Sequence, residues 1–214
     1  MASVNGSAEG VPWHSPPGDS GIVRLMAPAP ARCLATALLA LLPLCAAAGD
    51  NADILVDVTK EGATLHVAVD CPVDAPRPVV WGVLTDYDHM AAFISNLQES
   101  VVRMRMGNRL QVFQRGKATR GLLSFSFQNT RDVELTPQTE IRSRVIAGDA
   151  MPAAFTTRIE ERGGMLHMVN TGTYTPPIWV PPVIGTSLIA AETRKQYGEI
   201  RDEIARRAKL TAAR

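Results

Sequence analysis

Two carboxylates and a histidine stand close together in the stretch VVWGVLTDYDHMAAFI, residues 79–94. Asp86, Asp88 and His89 are the residue types of a metal site or of an acid/base pair, because carboxylate and imidazole groups bind metals and exchange protons. They also follow an apolar run of helical spacing, where an aspartate can cap the next turn by accepting its free backbone N–H groups. The position at a helix end favours capping, and we expect neither a metal site nor a cofactor.

Other residues offer little for nucleophilic or metal chemistry. After residue 50 the chain has one cysteine, Cys71, and three histidines (His66, His89 and His167), whose spacing fits no ordinary zinc site. The sequence contains no G-x-S-x-G elbow and no glycine-rich phosphate loop. His167 alternates with apolar neighbours, which predicts that it points into the fold. The pattern identifies no catalytic residue, and the two candidates for such a role are His167 and Arg158.

The first 50 residues differ in composition from the rest. Residues 1–25 are rich in Pro, Gly and Ser and predict a disordered leader, which is translated only if Met1 rather than Met26 is the start. Residues 26–48 combine a positive start, a short uncharged apolar run and Ala-Ala-Ala at the end, which is typical of a signal peptide. We therefore expect an exported protein, periplasmic or secreted, whose domain spans residues 49–214.

The elements of residues 49–214 follow from changes in apolar spacing. Period-two alternation over 54–69 predicts a β-hairpin, helical spacing over 76–94 predicts two short helices, and alternation returns over 97–175. A proline-rich segment, TPPIWVPPVIG (residues 175–185), precedes an amphipathic stretch long enough for one C-terminal helix. The sequence predicts an α+β fold in which a curved antiparallel sheet of about six to seven strands packs against that helix.

A pocket follows from this packing. A long helix cannot touch a curved sheet everywhere, and ligand sites are concave and mostly apolar. We also expect Trp179, between proline pairs, to form a stiff flap at the mouth. The predicted lining residues are Met104, Met106, Phe125, Phe127, Phe155, Met168, Trp179 and Leu188.

The strands carry many arginines that alternate with apolar residues, which places most of them on the solvent face of the sheet. A carrier that docks at a membrane would use such residues to contact anionic lipid head groups. The net charge of +1 gives no indication of nucleic-acid binding. The arginines are Arg103, Arg105, Arg115, Arg120, Arg131, Arg142 and Arg144.

Several of these features resemble a known family. The stretch VWGVLTDY (residues 80–87), the turn at Gly107-Asn108 and the proline-rich crossing before the last helix resemble the polyketide cyclase/dehydrase and coenzyme Q-binding group of the START-like (SRPBCC) superfamily. The resemblance covers residues 63–208 and implies a helix-grip fold around a hydrophobic cavity. It implies no shared catalytic constellation, because members include lipid or quinone carriers and cyclases.

The sequence and the resemblance together predict an exported carrier. Its ligand would be a hydrophobic small molecule such as a lipid, an isoprenoid quinone or a polyketide-like ring, held between the sheet and the C-terminal helix. The alternatives are a cyclase or dehydratase that acts in the same cavity and a protein-interaction module that uses the arginine-bearing sheet. Peripheral membrane contact fits the carrier. Nothing in the sequence indicates the oligomeric state.

Overall fold

The structure is a computed structural model that describes residues 51–120, 123–149, 152–176 and 184–213. The predicted leader and signal peptide, residues 1–48, lie outside the described residues, as does Trp179. The elements are β1 (Leu55–Glu61), β2 (Thr64–Val73), α1 (Arg77–Leu84), a 3₁₀ helix (Tyr87–Ala92), β3 (Leu97–Met106), β4 (Arg109–Arg120), β5 (Leu123–Thr136), β6 (Glu140–Gly148), β7 (Ala153–Arg162), β8 (Met165–Tyr174) and α2 (Ile184–Ala212).

Proline and glycine set the boundaries that the sequence indicates. Pro78 lies in the first turn of α1, where a missing backbone N–H costs no hydrogen bond. Gly107 joins β3 to β4 with a φ of 58°, a left-handed conformation that glycine adopts without a steric penalty. Pro78 and Gly107 therefore lie at element boundaries, where the apolar spacing of the sequence also changes.

The strands form one antiparallel sheet in the order β1-β2-β8-β7-β6-β5-β4-β3. The α+β helix-grip fold predicted from the sequence is confirmed. The described residues contain eight strands rather than six to seven, because the first hairpin joins the same sheet through the pairing of β2 with β8. No turn links those two strands, so their pairing leaves no local signal in the sequence.

Helix α2 packs on β1, β2 and α1. Its C-terminal half is fastened by ion pairs: Arg201 Nη1 lies 2.6 Å from Asp53 Oδ2, and Arg207 Nη2 lies 2.8 Å from Asp86 Oδ2. Ile204 on the same half is fully buried in the core. The half of the helix that follows the proline-rich segment is only half-buried along most of its length. Within the described part of the chain, no helix is long and apolar enough to cross a membrane.

Candidate functional site

The sheet has an inner face toward α2 and an outer face toward solvent. Part of the inner face is closely packed: Val69, Cys71, Ile159 and Met168 are at most 5% exposed. We call these four residues the dry region. Burial raises the pKa of the Cys71 thiol to about 12, so this cysteine stays neutral and is a small core residue.

Another part of the inner face keeps accessible surface. Phe127, Arg131, Ser143, Phe155 and Thr157 occupy inward positions on β5, β6 and β7, and all five are half-buried. We call these five residues the accessible region. These five side chains are less completely covered than those of the dry region, as residues that line a ligand site are.

Two glycines shape the accessible region. Phe127 is paired across the strands with Gly116, and Phe155 with Gly172. A Cβ atom on either glycine would overlap the ring of its phenylalanine. Each ring therefore lies flat against the neighbouring strand, which keeps it from filling the space above the sheet.

Arg131, one of the arginines of the predicted outer set, lies on the inner face in the centre of the sheet. It pairs in register with Val112 and Val145, which are 0% and 7% exposed. Burial lowers the pKa of Arg131, although a guanidinium stays charged at neutral pH. Its Nε atom donates to Asn129 Oδ1 at 3.1 Å. Arg131 is thus an exception to the prediction that most of these arginines face solvent.

Arg131 was detectable in the sequence. It stands two residues before Val133, a predicted core position on the same strand, and residues two apart share a face. The basic side chain suggested an outer position, but the period-two pattern already required an inner one. The apolar spacing predicts the position of Arg131 better than its charge does, because the inward Asn129 supplies a hydrogen-bond acceptor for the guanidinium.

Further polar groups continue along the inner face. Ser100, Gln114, Asn129 and Asn170 are each less than 10% exposed, and Gln114 Nε2 donates to Ser100 Oγ at 3.1 Å. Such groups are stable inside a protein when they are hydrogen-bonded. They give the interior a polar stripe, which the apolar lining predicted from the sequence did not include.

A tyrosine of α2 connects the helix to this stripe. Burial raises the pKa of Tyr197 well above its usual value, and a hydrogen bond with Thr157 opposes part of the shift. The Thr157 hydroxyl in turn donates to Asn170 Oδ1 at 2.9 Å. Phenol, hydroxyl and amide groups are therefore lined up between the helix and the sheet, where they can orient a polar part of a ligand.

The predicted lining residues separate into four groups. Met168 is inward but fully buried in the dry region. Phe127, Phe155 and Leu188 are half-buried, the first two on the inner face. Met104 and Met106 are 44% and 65% exposed on β3, so their assignment to the lining is wrong. The fourth group is not described: the Phe125 side chain and all of Trp179 lie outside the described residues.

A β-bulge explains the error on β3. The register of β3 against β4 shifts between Val102 and Met104. A one-residue shift moves every following side chain to the other face. Val102 still pairs with the buried Val112, whereas Met104 pairs with the outward Gln111.

Both candidate catalytic residues lie on the outer face, so their placement in the cavity is wrong. His167 Nδ1 lies 2.6 Å from Asp70 Oδ1, and Arg162 binds the other oxygen of the same carboxylate. Arg158 Nε lies 2.7 Å from Glu140 Oε2. His167 is adjacent in sequence to the inward Met168, and neighbours on a strand point to opposite faces.

The opening cluster is structural, but it does not cap a helix through its side chains. Asp86 precedes the 3₁₀ helix and makes no side-chain capping bond. Its carboxylate instead binds His89 Nδ1 at 2.6 Å and Arg207 of α2, and these partners lower the pKa of Asp86 against the opposing effect of burial. Asp88 Oδ1 accepts the backbone N–H of Val102 at 2.7 Å. The cluster therefore fastens α2 and the edge strand β3.

In the described part of the chain, no group of His, Cys, Asp and Glu side chains has a metal-binding arrangement.

The outer face carries an open groove of about 470 Å3 over β1, β2, β8 and β7. Its outward side chains are small or polar, with Asp57 and His66 at one side and Thr156 and Thr171 at the other. Ligand sites are usually enclosed and mostly apolar. The groove is open to solvent, so the inner face is the better candidate site.

Comparison with known proteins agrees with this fold. Residues 73–169 match the family model for polyketide cyclase / dehydrase and lipid transport. Among solved structures, the chain is similar to the protein TTHA0849 from Thermus thermophilus (TM-score 0.57, 16% identity, covering 67% of this chain and 99% of that chain). It is also similar to the Zhui aromatase/cyclase from a Streptomyces species (TM-score 0.54, 15% identity, 68% and 94% covered).

A third match is a START superfamily protein from Mycobacterium smegmatis (TM-score 0.51, 10% identity, 68% and 98% covered). No curated protein sequence matched the chain. The fold thus defines the class as a helix-grip protein. Residues 73–169, a little under half of the chain, are thus similar to the polyketide cyclase / dehydrase and lipid transport family, in line with the resemblance seen in the sequence.

Proposed function

We propose that the protein is a carrier that binds a hydrophobic small molecule between the inner face of the sheet and α2. One observation supports the proposal: five inward side chains in the centre of the sheet stay half-buried, whereas those of the dry region on the same face are at most 5% exposed. In a closely packed interior these positions would be dry. The two phenylalanine rings of the accessible region offer apolar surface, and its burial by a ligand would contribute about 25 cal/mol per Å2.

The proposal is tested by finding what the protein holds. The full chain is purified without detergent, and native mass spectrometry is compared with organic extraction of the same sample. We expect an added mass that disappears on denaturation, together with a lipid, quinone or ring compound in the extract. If no hydrophobic compound is extracted, and a panel of lipids and quinones shows no saturable binding, the carrier proposal is wrong.

An enzyme that acts in the same space is the second candidate, favoured by the polar groups of Arg131, Thr157 and Tyr197. The candidates His167 and Arg158 no longer support it, because both lie on the outer face. Incubation of the extracted compound with fresh protein separates the two functions. Conversion to a new product that Tyr197→Phe slows would favour an enzyme, whereas recovery of the unchanged compound favours a carrier.

We also propose that the carrier is exported and contacts membranes. Residues 26–48 support export, and a fusion of these residues to a periplasmic reporter tests it. On the edge strand β3, Met104 and Met106 are exposed on the outer face, where the Arg103 guanidinium lies over the Phe113 ring. Apolar and cationic side chains side by side suit an anionic lipid surface. Co-sedimentation with phosphatidylglycerol vesicles but not with phosphatidylcholine vesicles is the expected result.

The third predicted function, a protein-interaction module on the arginine-bearing sheet, finds less support. Arg142, Arg144, Arg158 and Arg162 each lie within 3.5 Å of a carboxylate on the outer face. Arginines that already have acidic partners leave less charge for a partner protein. This function would gain support if the affinity for a partner protein fell with rising salt concentration and if substitutions on the inner face left that affinity unchanged.

A further inference from the structure

We propose that Arg131 binds the anionic head group of an amphiphilic ligand, and that the ligand enters with its head group innermost. The inference deepens the proposed carrier function and rests on it. It concerns the chemical class of the ligand: one with an apolar body and a single carboxylate or phosphate group. Three features of the structure carry it, namely the position of Arg131, its lack of a carboxylate partner and its place relative to the aromatic rings.

The position of Arg131 is fixed by the register of the sheet. Its neighbours across β4 and β6 are Val112 and Val145, both buried inner-face residues. Tyr87, which is also buried in the core, lies near enough to influence its charge. The guanidinium therefore lies inside the fold and not at its rim, yet the residue keeps accessible surface.

Arg131 has donors to spare. In the described part of the chain its one hydrogen bond is from Nε to Asn129, and no described carboxylate forms an ion pair with it. Arg131 as a whole keeps some accessible surface, and its terminal nitrogens are not among the described buried atoms that lack a partner. A charge inside a protein is costly unless a counter-charge or hydrogen bonds compensate it.

The arginines of the outer face show the contrast. Glu140 accepts Arg142 at 2.6 Å and Arg158 at 2.7 Å, and Asp132 accepts Arg144 at 3.5 Å. The sheet thus supplies carboxylates where water already solvates the charge and, among the described residues, supplies none where the charge is enclosed. A ligand anion would fill that place, because the planar fork of a guanidinium matches carboxylate and phosphate in a bidentate geometry.

The aromatic rings give the ligand a direction. Phe127 lies four residues before Arg131 on β5, which is about 13 Å along a strand. Both side chains share the inner face, with Asn129 between them. A head group held by Arg131 therefore places the apolar body of the ligand over Asn129 and toward Phe127.

A matched pair of probes tests the inference without any substitution. The full chain is titrated with cis-parinaric acid and with methyl cis-parinarate, which have the same fluorescent chain and differ in the charge of the head group. We expect the acid to bind about 10- to 100-fold more tightly than the ester, as for a charge-assisted pair shielded from water. Equal affinities would overturn the inference and leave the carrier function standing. Failure of both probes to bind saturably would overturn the carrier function and, with it, the inference.

Two variants assign the preference to a residue. Arg131→Gln should lower the affinity for the acid to that of the ester and leave the affinity for the ester unchanged. Arg144→Gln, on the outer face of the next strand, should leave both affinities unchanged. A preference for the acid that survives Arg131→Gln in the folded protein would contradict the inference. Competition by laurate and by monododecyl phosphate then distinguishes a carboxylate from a phosphate: displacement by either supports the proposal, and displacement by neither counts against it.

Discussion

The dry region and the accessible region lie on the same inner face, and they differ in what covers them. Val69, Cys71, Ile159 and Met168 belong to the core cluster shared with α1 and the C-terminal half of α2. Phe127 and Phe155 only border that cluster. The difference teaches that the helix closes one part of the sheet tightly and leaves another part open. The open part is also where the fold keeps a charge.

The largest effect should come from the dry region. We expect Met168→Ala to lower the free energy of unfolding by about 2–5 kcal/mol, because it leaves a cavity in a fully packed site. Met104→Ala, on the exposed side of β3, should stay within about 0.5 kcal/mol of the wild type. Urea denaturation of both variants measures the difference. Equal effects would mean that the region around Met168 is not closely packed.

The next effect concerns the ion pairs that Glu203, a buried carboxylate of α2, makes with Arg206 and Arg207 of the same helix. Hydrogen bonds from Arg206 and Arg207 lower the pKa of Glu203 to about 2 against the opposing effect of burial. A lowered carboxyl pKa stabilises the fold at pH values above the unfolded pKa of Glu, about 4.3. This stabilisation is lost as the pH falls from there through about 2.

Glu203→Gln should therefore cost on the order of 2 kcal/mol at pH 7 and flatten the loss of stability between pH 5 and pH 2. Glu134→Gln is the matched control: the Glu134 side chain is 55% exposed, and its partner Arg109 lies 3.5 Å away on the outer face. Such a pair contributes about 0–1 kcal/mol. Thermal melts across the pH range measure both variants. If Glu203→Gln left the loss of stability at acid pH unchanged, this carboxylate would not stabilise the fold.

The smallest effect has the opposite sign and belongs to the accessible region. Arg131→Met removes an enclosed charge without a described counter-ion, and we expect it to raise the free energy of unfolding of the ligand-free protein by about 1 kcal/mol. Arg144→Met on the outer face should change it by less than about 0.5 kcal/mol. Chemical denaturation of delipidated samples is the measurement. If Arg131→Met is destabilising, the arginine serves the fold and not a ligand.

The fold could be predicted because its signals are local. The change of apolar spacing, the prolines before α1 and the glycine turns each act over a few residues. The site was predicted only in part, since its geometry depends on pairing. A bulge after Val102 moved Met104 and Met106 outward, and strand parity moved His167 outward. The alternation of side chains along β5 also places Arg131 on the inner face. The sequence prediction gave more weight to the charge of this residue than to the alternation.

The central claim is that a hydrophobic ligand binds at the inner face, and two neighbouring residues test it most directly. Ser143 is a half-buried member of the accessible region, and Arg142 beside it on β6 points outward. Fluorescence titration with methyl cis-parinarate is performed on the wild type, Ser143→Trp and Arg142→Trp. The account predicts saturable binding to the wild type and to Arg142→Trp, and at least about tenfold weaker binding to Ser143→Trp, whose indole fills the space. Equal binding to the two folded variants would contradict it.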